Sequence, residues 1–412
     1  MPATPRRWGR RQVLHTGAAA LGGIGAGWSA AAAALPTDTP TDTAASGAPT
    51  SSAGAAGPPL GGRTVAFHGP HQAGVATPPQ AHLSLLGLDL QPGQGTADLE
   101  RMMRLLSDDA ARLTRGLPAL ADTEPELAAH PASLSVTFGF GPRVMRDVIG
   151  AGPMDGLPSF STDRIDPAWG QTDVVVQICA DDPLTVTHAR RMILKDSHAF
   201  ARLRWVQDGT RYANGVVPDG TTMRNVMGQV DGTVNPVEAD PDFDELIWTA
   251  DGARAGGTFM VVRRIRAEME TWDKVDRNGR EAAVGRRLDT GAPLTGTSEF
   301  DEPDFTATDA VGLPVIDPAS HIARARSENP REQMRRRAYN YTIADPTRRT
   351  GEDSGLVFIA FVADVEEQFV PVQQRLAESD RLNEWITTIG SAVYFVPPGA
   401  AEDDFVGRGL LT

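Results

Sequence analysis

A single cysteine, Cys179, among 412 residues excludes an intrachain disulfide framework and any cysteine-rich zinc or iron–sulfur site. Basic charge is in deficit: 39 Lys and Arg against 53 Asp and Glu leave a net charge of −14. Phosphate recognition needs a positive field, so a nucleic-acid partner is excluded. Past the first 35 residues no apolar run is long enough to span a bilayer. Short-period repeats and coiled-coil heptads are absent as well. A cofactor held by one or two side chains survives all of these exclusions.

The 41% hydrophobic and 22% charged residues are those of a globular chain, and its length exceeds one ordinary core, so two domains are expected. Residues 1–35 read as an address. Arg6–Arg7 and Arg10–Arg11 precede a weakly apolar stretch from Gly17 to Ala34 that is rich in Ala and Gly. Paired arginines ahead of such a stretch resemble a twin-arginine export signal, and its small residues argue against a membrane anchor. Residues 36–58, rich in Ala, Thr, Ser and Pro, read as a flexible linker.

Alternation and helical spacing then order the remaining chain. Strands are predicted over 81–90, 134–141, 173–179 and 201–207, with helices over 96–117 and 183–200. That β-α-β-β-α-β order is a ferredoxin-like unit. A second unit follows, with strands over 257–265, 355–362 and 391–396 and helices over 269–286 and 370–382. The fold class is therefore α+β, with domains at 59–245 and 246–412. A long irregular stretch, 289–340, interrupts the second unit, and loops of that length are usually functional.

Three elements can carry chemistry. Gly228 and Gly232 bracket Asp231, so the backbone can turn sharply and approach a flat ligand; an ordinary Asp-Gly turn is the alternative. His321 lies in the irregular stretch. It is the only one of eight histidines to follow Asp231 in the chain. A lone imidazole suits an axial haem ligand better than zinc, or it is an ordinary surface or core residue. His68 and His71 have helical metal spacing but no third ligand nearby. The run Arg335-Arg336-Arg337 precedes Tyr339 and Tyr341. It is either a solvated basic run or a buried one that needs an anion.

Gly228-Gln-Val-Asp-Gly232, then His321 about 90 residues on, then Arg336-Arg337-Ala338-Tyr339, together resemble the dye-decolourising peroxidase family. Thr137-Phe-Gly-Phe-Gly141, Asn329-Pro330-Arg331 and Leu382-Asn-Glu-Trp385 are family-like too, and the resemblance spans residues 60–412. Exported members, including deferrochelatase-like proteins, look most similar. The resemblance implies paired ferredoxin-like domains in a dimeric α+β barrel-like arrangement, with one haem b per chain in the C-terminal half. It makes His321 the proximal iron ligand, Asp231 the distal acid–base residue and Arg336 the distal arginine. Gly232, Thr233, Val234, Asn329, Pro330 and Arg331, with Arg336, would contact the haem edge and propionates. Leu356 and Phe358, two apart on a strand, would roof the distal pocket. An insertion between His321 and Asn329 departs from the family pattern at the propionate contacts.

The implied activity is oxidation of bulky dyes and phenolic or lignin-like donors by hydrogen peroxide through a ferryl intermediate. Donors too large for the pocket would require electron relay, for which Trp272, Tyr341 and Trp385 are the candidates; core packing is their other reading. Asp404 is expected to accept a hydrogen bond from His321. The alternative activity is haem handling, as carrier or deferrochelatase. The expected partners are peroxide and an aromatic reductant, without nucleic acid or a membrane anchor; an oligomer is compatible. The expected location is extracellular or the cell envelope.

Overall fold

Two β-α-β-β-α-β runs follow one another in a computed structural model that describes residues 59–152, 154–250 and 252–411. The first comprises β1 (His82–Leu90), α1 (Thr96–Leu113), β2 (Ser135–Phe140), β3 (Val174–Ala180), α2 (Pro183–Ser197) and β4 (Ala201–Thr210). A short α3 (Phe243–Ile247) leads to β5 (Thr258–Ala267), α4 (Met269–Trp272), α5 (Arg277–Val284) and α6 (His321–Ala325). Then come β6 (Arg335–Arg336), β7 (Tyr339–Ala344), β8 (Glu352–Val362), α7 (Val370–Ser379), β9 (Ile386–Val396) and α8 (Arg408–Leu411). The export signal and linker read at residues 1–58 lie outside the described residues. Among those described, no helix is long and apolar enough to cross a membrane.

The strands form one antiparallel sheet in the order β5-β9-β2-β3-β1-β4-β7-β8-β6, and pairing of β5 with β8 closes it into a barrel. Closure removes the free edges that would template aggregation. Each half contributes long ladders, whereas the halves meet at short seams. Phe140 faces Phe395 between β2 and β9, and Thr210 faces Asn340 between β4 and β7. Burial therefore joins the halves more than hydrogen bonding does. Leu83, Leu85, Val175, Tyr339, Val357, Ile359, Phe361 and Tyr394 pack in one interior cluster. The opposite sheet face packs on the helices through Leu99, Met102, Met103 and Leu106 of α1 and Met192 and Ile193 of α2.

The α+β class and the paired ferredoxin-like halves agree with the sequence reading. Two regions differ. The helix expected over 269–286 is broken, because the Asp276 side chain accepts the Gly279 N–H at 2.7 Å and starts α5 afresh. The second half also contains two strands that the sequence pattern does not predict. The arginine run and the tyrosines after it form β6 and β7, which pair with β8. Consecutive charges hide the alternation that marks a strand.

One buried pair makes the fold sensitive to pH. Asp109 of α1 is fully buried, and its Oδ1 accepts the Leu120 N–H at 2.8 Å. Asp109 Oδ2 and Asp196 Oδ2 of α2 are buried with no other partner among the described residues, which favours a protonated Asp109 carboxyl. Burial, and next the hydrogen bond to Asp196, push the Asp109 carboxyl up to about 7, against the smaller opposing pulls of the Leu120 N–H and Arg112. A carboxyl raised in the fold favours folding fully below its unfolded value of 3.8 and loses that contribution as pH rises through about 7. Calorimetry at mildly acidic and mildly alkaline pH should show the loss. Asn at position 109 can donate to Asp196 and accept from Leu120, so Asp109→Asn should recover about 2 kcal/mol on the alkaline side only. Equal pH slopes in both proteins would exclude a proton held on Asp109.

Candidate active site

The glycines at 228 and 232 close a tight hairpin. Asp231 N–H donates to Met223 O at 2.8 Å, and Asn225 N–H donates to Gln229 O at 3.0 Å. Gly228 and Gly232 have φ of 86° and 123°, in the region that favours glycine. The hairpin is tied to the irregular stretch that follows α5. Arg224 Nη1 and Nη2 donate to Leu288 O and Asp289 O, and Glu299 accepts the Thr222 and Thr233 hydroxyls at 2.5 and 2.9 Å. Asp231 is thereby presented at the end of a braced loop.

The three arginines of the basic run separate according to strand geometry. Side chains alternate between sheet faces, so Arg335 and Arg337 turn one way and Arg336 the other. Arg335 donates to Pro236 O at 2.8 Å, and Arg337 donates to Thr77 O and Gln80 Oε1; both are buried. Arg336 is clamped at its backbone by Asn235, whose Oδ1 accepts its N–H at 2.7 Å and whose Nδ2 donates to its carbonyl at 3.0 Å. Its guanidinium donates to Val234 O at 2.7 Å and stands 3.8 Å from Asp231 Oδ1. Both partners are about a quarter exposed, at 27% and 22%, so the pair is open to a small ligand. The basic run is not a solvated face.

His321 opens α6. Its Nδ1 pairs with Asp380 Oδ2 at 2.7 Å, and Asp380 is only 1% exposed. Asp380 Oδ1 also accepts the Leu382 N–H at 2.9 Å, so one carboxylate caps the turn after α7 and orients the imidazole. Burial disfavours the charged imidazole, but the Asp380 carboxylate outweighs it, and the His321 pKa is raised. Asp231 and Arg336 also act on His321, in opposite senses, so all three groups lie within electrostatic reach of one another. Asp404, expected as the imidazole's acceptor, is elsewhere. It faces Arg408 at 3.3 Å and lines a surface cleft with His68, Arg104 and Phe405. Asp380 replaces it because α6 packs on α7, a contact between segments 59 residues apart.

The other expected residues divide. Leu356 and Phe358 are half-buried on the β8 face opposite Val357 and Ile359, and Arg336 shares that face through its pairing with Ala360. Gly232, Thr233 and Val234 adjoin the Asp231–Arg336 pair. Arg331 pairs with Glu245 and Glu367, and Asn329 Oδ1 accepts the Arg331 N–H. Trp272 and Trp385 stack edge to face with centroids 5.2 Å apart, and Trp272 Nε1 donates to Met227 O in the hairpin at 3.1 Å. Tyr341 lies in the barrel interior, its hydroxyl 3.3 Å from Asp353 Oδ1. Asp380, Asn225, Asn235 and Glu299 are not marked as site residues by the sequence pattern. Only the two asparagines left a trace, as amides flanking the glycine-bracketed loop.

Among the described residues no cluster of three or more His, Cys, Asp or Glu could hold a metal ion. His321 fits iron that arrives in a macrocycle with four donors of its own. Its Nδ1 is taken by a carboxylate, its Nε2 has no hydrogen bond to a described residue, and apolar Leu356 and Phe358 suit a porphyrin face.

Residues 72–211 match the family model described as Dyp-type peroxidase, N-terminal, and residues 222–401 match the one described as Dyp-type peroxidase, C-terminal. A dye-decolorizing peroxidase of Thermobifida fusca is 34% identical over 100% of this chain and 99% of its own. A deferrochelatase of Escherichia coli is 33% identical over 84% of this chain and 86% of its own. The crystal structure of a DyP-type peroxidase from Cellulomonas bogoriensis is 49% identical, with a TM-score of 0.82 over 86% of this chain and 99% of that one.

Removing Asp380 leaves two groups without their acceptor, His321 Nδ1–H and Leu382 N–H. Asp380→Ala should lower the unfolding free energy by about 3 kcal/mol, and Asp380→Asn, which keeps the cap, by about 1 kcal/mol. Denaturant titration of both variants checks the ranking, and equal losses would mean that the cap contributes nothing.

Proposed function

The chain belongs to the Dyp-type peroxidase family and is a haem peroxidase, and we propose that it is exported and uses hydrogen peroxide to oxidise bulky dyes and phenolic or lignin-like donors. The observation that carries this reading is the 3.8 Å approach of Arg336 to Asp231 within electrostatic reach of His321. Simple haem carriage requires neither member of that pair. The paired arginines near the N-terminus support export.

Haem, when bound, supplies the two-electron reduction of peroxide and stores the oxidising equivalents. His321 Nε2 would hold the iron, and Asp380 on Nδ1 would increase the imidazole's electron donation. Asp231 takes a proton from one peroxide oxygen and returns it to the other. Arg336 stabilises the negative charge that develops as those oxygens separate, and its guanidinium cannot itself relay protons. Leu356 and Phe358 restrict water at the apolar wall. Gly232, Thr233 and Val234 line the ligand's edge, where Gly232 lets the backbone approach. Trp272 and Trp385, in edge-to-face contact, form the relay for donors too large to enter; Tyr341, in the barrel interior, is a second route.

Kinship with deferrochelatases supports a second reading, release of iron from haem with incidental peroxide turnover. Steady-state peroxide consumption compared with appearance of free protoporphyrin separates the two. Peroxide consumption with a dye or phenol and no free protoporphyrin supports the first.

His321→Ala should purify without a tightly held haem, read as loss of the Soret band. Wild-type occupancy in that variant would exclude His321 as the ligand. Arg336→Leu should slow the peroxide-reaction step more than Asp231→Asn, because water can replace a proton relay but not a fixed positive charge. Rapid mixing of both variants with peroxide decides the order, and the opposite ranking would refute it.

A further inference from the structure

We infer that Asn225 is a positioning residue that assigns different tasks to the two oxygens of Asp231. Its side-chain amide is oriented without ambiguity. Asn225 Oδ1 accepts the N–H of Met227 at 3.1 Å and of Gln229 at 3.2 Å, so the opposite end of the amide must be the NH2 group. That nitrogen donates to Asp231 Oδ2 at 3.1 Å. The other oxygen, Oδ1, is the one that faces Arg336.

The consequence is a division of labour within one carboxylate. Oδ2 is occupied by a donor that has no acceptor capacity and cannot lose a proton near neutral pH. Oδ1 is therefore the oxygen left to exchange a proton with a ligand beside Arg336. The hairpin also removes rotational freedom, since Asn225 is itself pinned by two backbone amides and by its own N–H on Gln229 O. Groups of other elements that act on Asp231 are Arg336 of β6, Arg211 beyond β4 and His321 of α6; Arg224 lies in its own hairpin, and Glu299 is held by Thr222 and Thr233. None of these donates to Oδ2.

The inference rests on Asp231 being the proton relay proposed above. Asn225→Asp tests it in the haem-loaded enzyme. A carboxylate at position 225 still accepts from Met227 and Gln229, so the hairpin is kept, but it presents an oxygen where Asp231 needs a donor. The variant should fold and keep its Soret band, with loss of thermal stability confined to the pH range in which both carboxyls are ionised. Its peroxide-reaction rate should fall roughly tenfold or more, and the acid limb of the rate–pH profile should move to higher pH. A crystal structure should show the Asp231 carboxylate turned away from position 225. Asn225→Ser replaces the separate acceptor and donor by one shorter hydroxyl, which weakens the hold on Asp231 Oδ2 without adding charge, so it should slow the same step by a smaller factor and serves if Asn225→Asp does not fold. In an Asp231→Asn background neither substitution should slow the step further. An unshifted pH profile in Asn225→Asp, or an equal loss in the Asp231→Asn background, overturns the assignment of Asn225. If Asp231→Asn alone leaves the rate intact, the relay reading falls instead.

Discussion

The two-residue period of β8 is the constraint on which the rest depends. Val357, Ile359 and Phe361 fill the barrel interior, so Leu356, Phe358 and Ala360 must face the other way. Pairing of β5 with β8 closes the barrel and holds that register across eight residue pairs. Arg336, opposite Ala360, inherits its direction from the same ladder. A slip of one residue would put the guanidinium into the apolar interior and Ile359 into the site. The core and the candidate chemistry are thus two faces of one strand.

Charge placement follows from the same alternation. Arg335 and Arg337 point inward with Arg211 nearby, and among the described residues no carboxylate bonds to either of the first two. Burial, then repulsion from Arg337 and Arg211, holds the Arg335 guanidinium below its usual range, yet backbone carbonyls and Gln80 keep the inward pair hydrogen-bonded. The acidic partner is reserved for Arg336, which alone meets a carboxylate, Asp231. On the other side of the site His321 has Asp380. Arg336 is thus paired with a carboxylate, whereas Arg335 and Arg337 on the opposite sheet face are held by uncharged acceptors.

The irregular stretch between α5 and α6 braces rather than dangles. Arg224 reaches its backbone at Leu288 and Asp289, Glu299 collects two threonine hydroxyls around the hairpin, and Arg286 donates to Glu299 O. A loop fixed at so many points can hold Asp231 in place without belonging to a strand or helix.

Periodicity in the sequence determined most strands, the long helices and the duplicated α+β order, because apolar residues recur at the spacing each element requires. Glycines at 228 and 232 and the lone His321 marked the site, since few other residues could supply those backbone angles or that ligand. The strand under Arg335 to Tyr341 was not legible, because burial of arginine depends on carbonyls from distant segments. Asp380 was equally hidden. Its meeting with His321 requires α6 to lie on α7, and no local pattern encodes a contact across 59 residues. Asp404 looked as suitable in one dimension, and only packing distinguished them. Local sequence chose the chemical groups, and tertiary structure decided which carboxylate faces which cation, because electrostatic pairing falls off over a few ångströms in space whatever the separation along the chain.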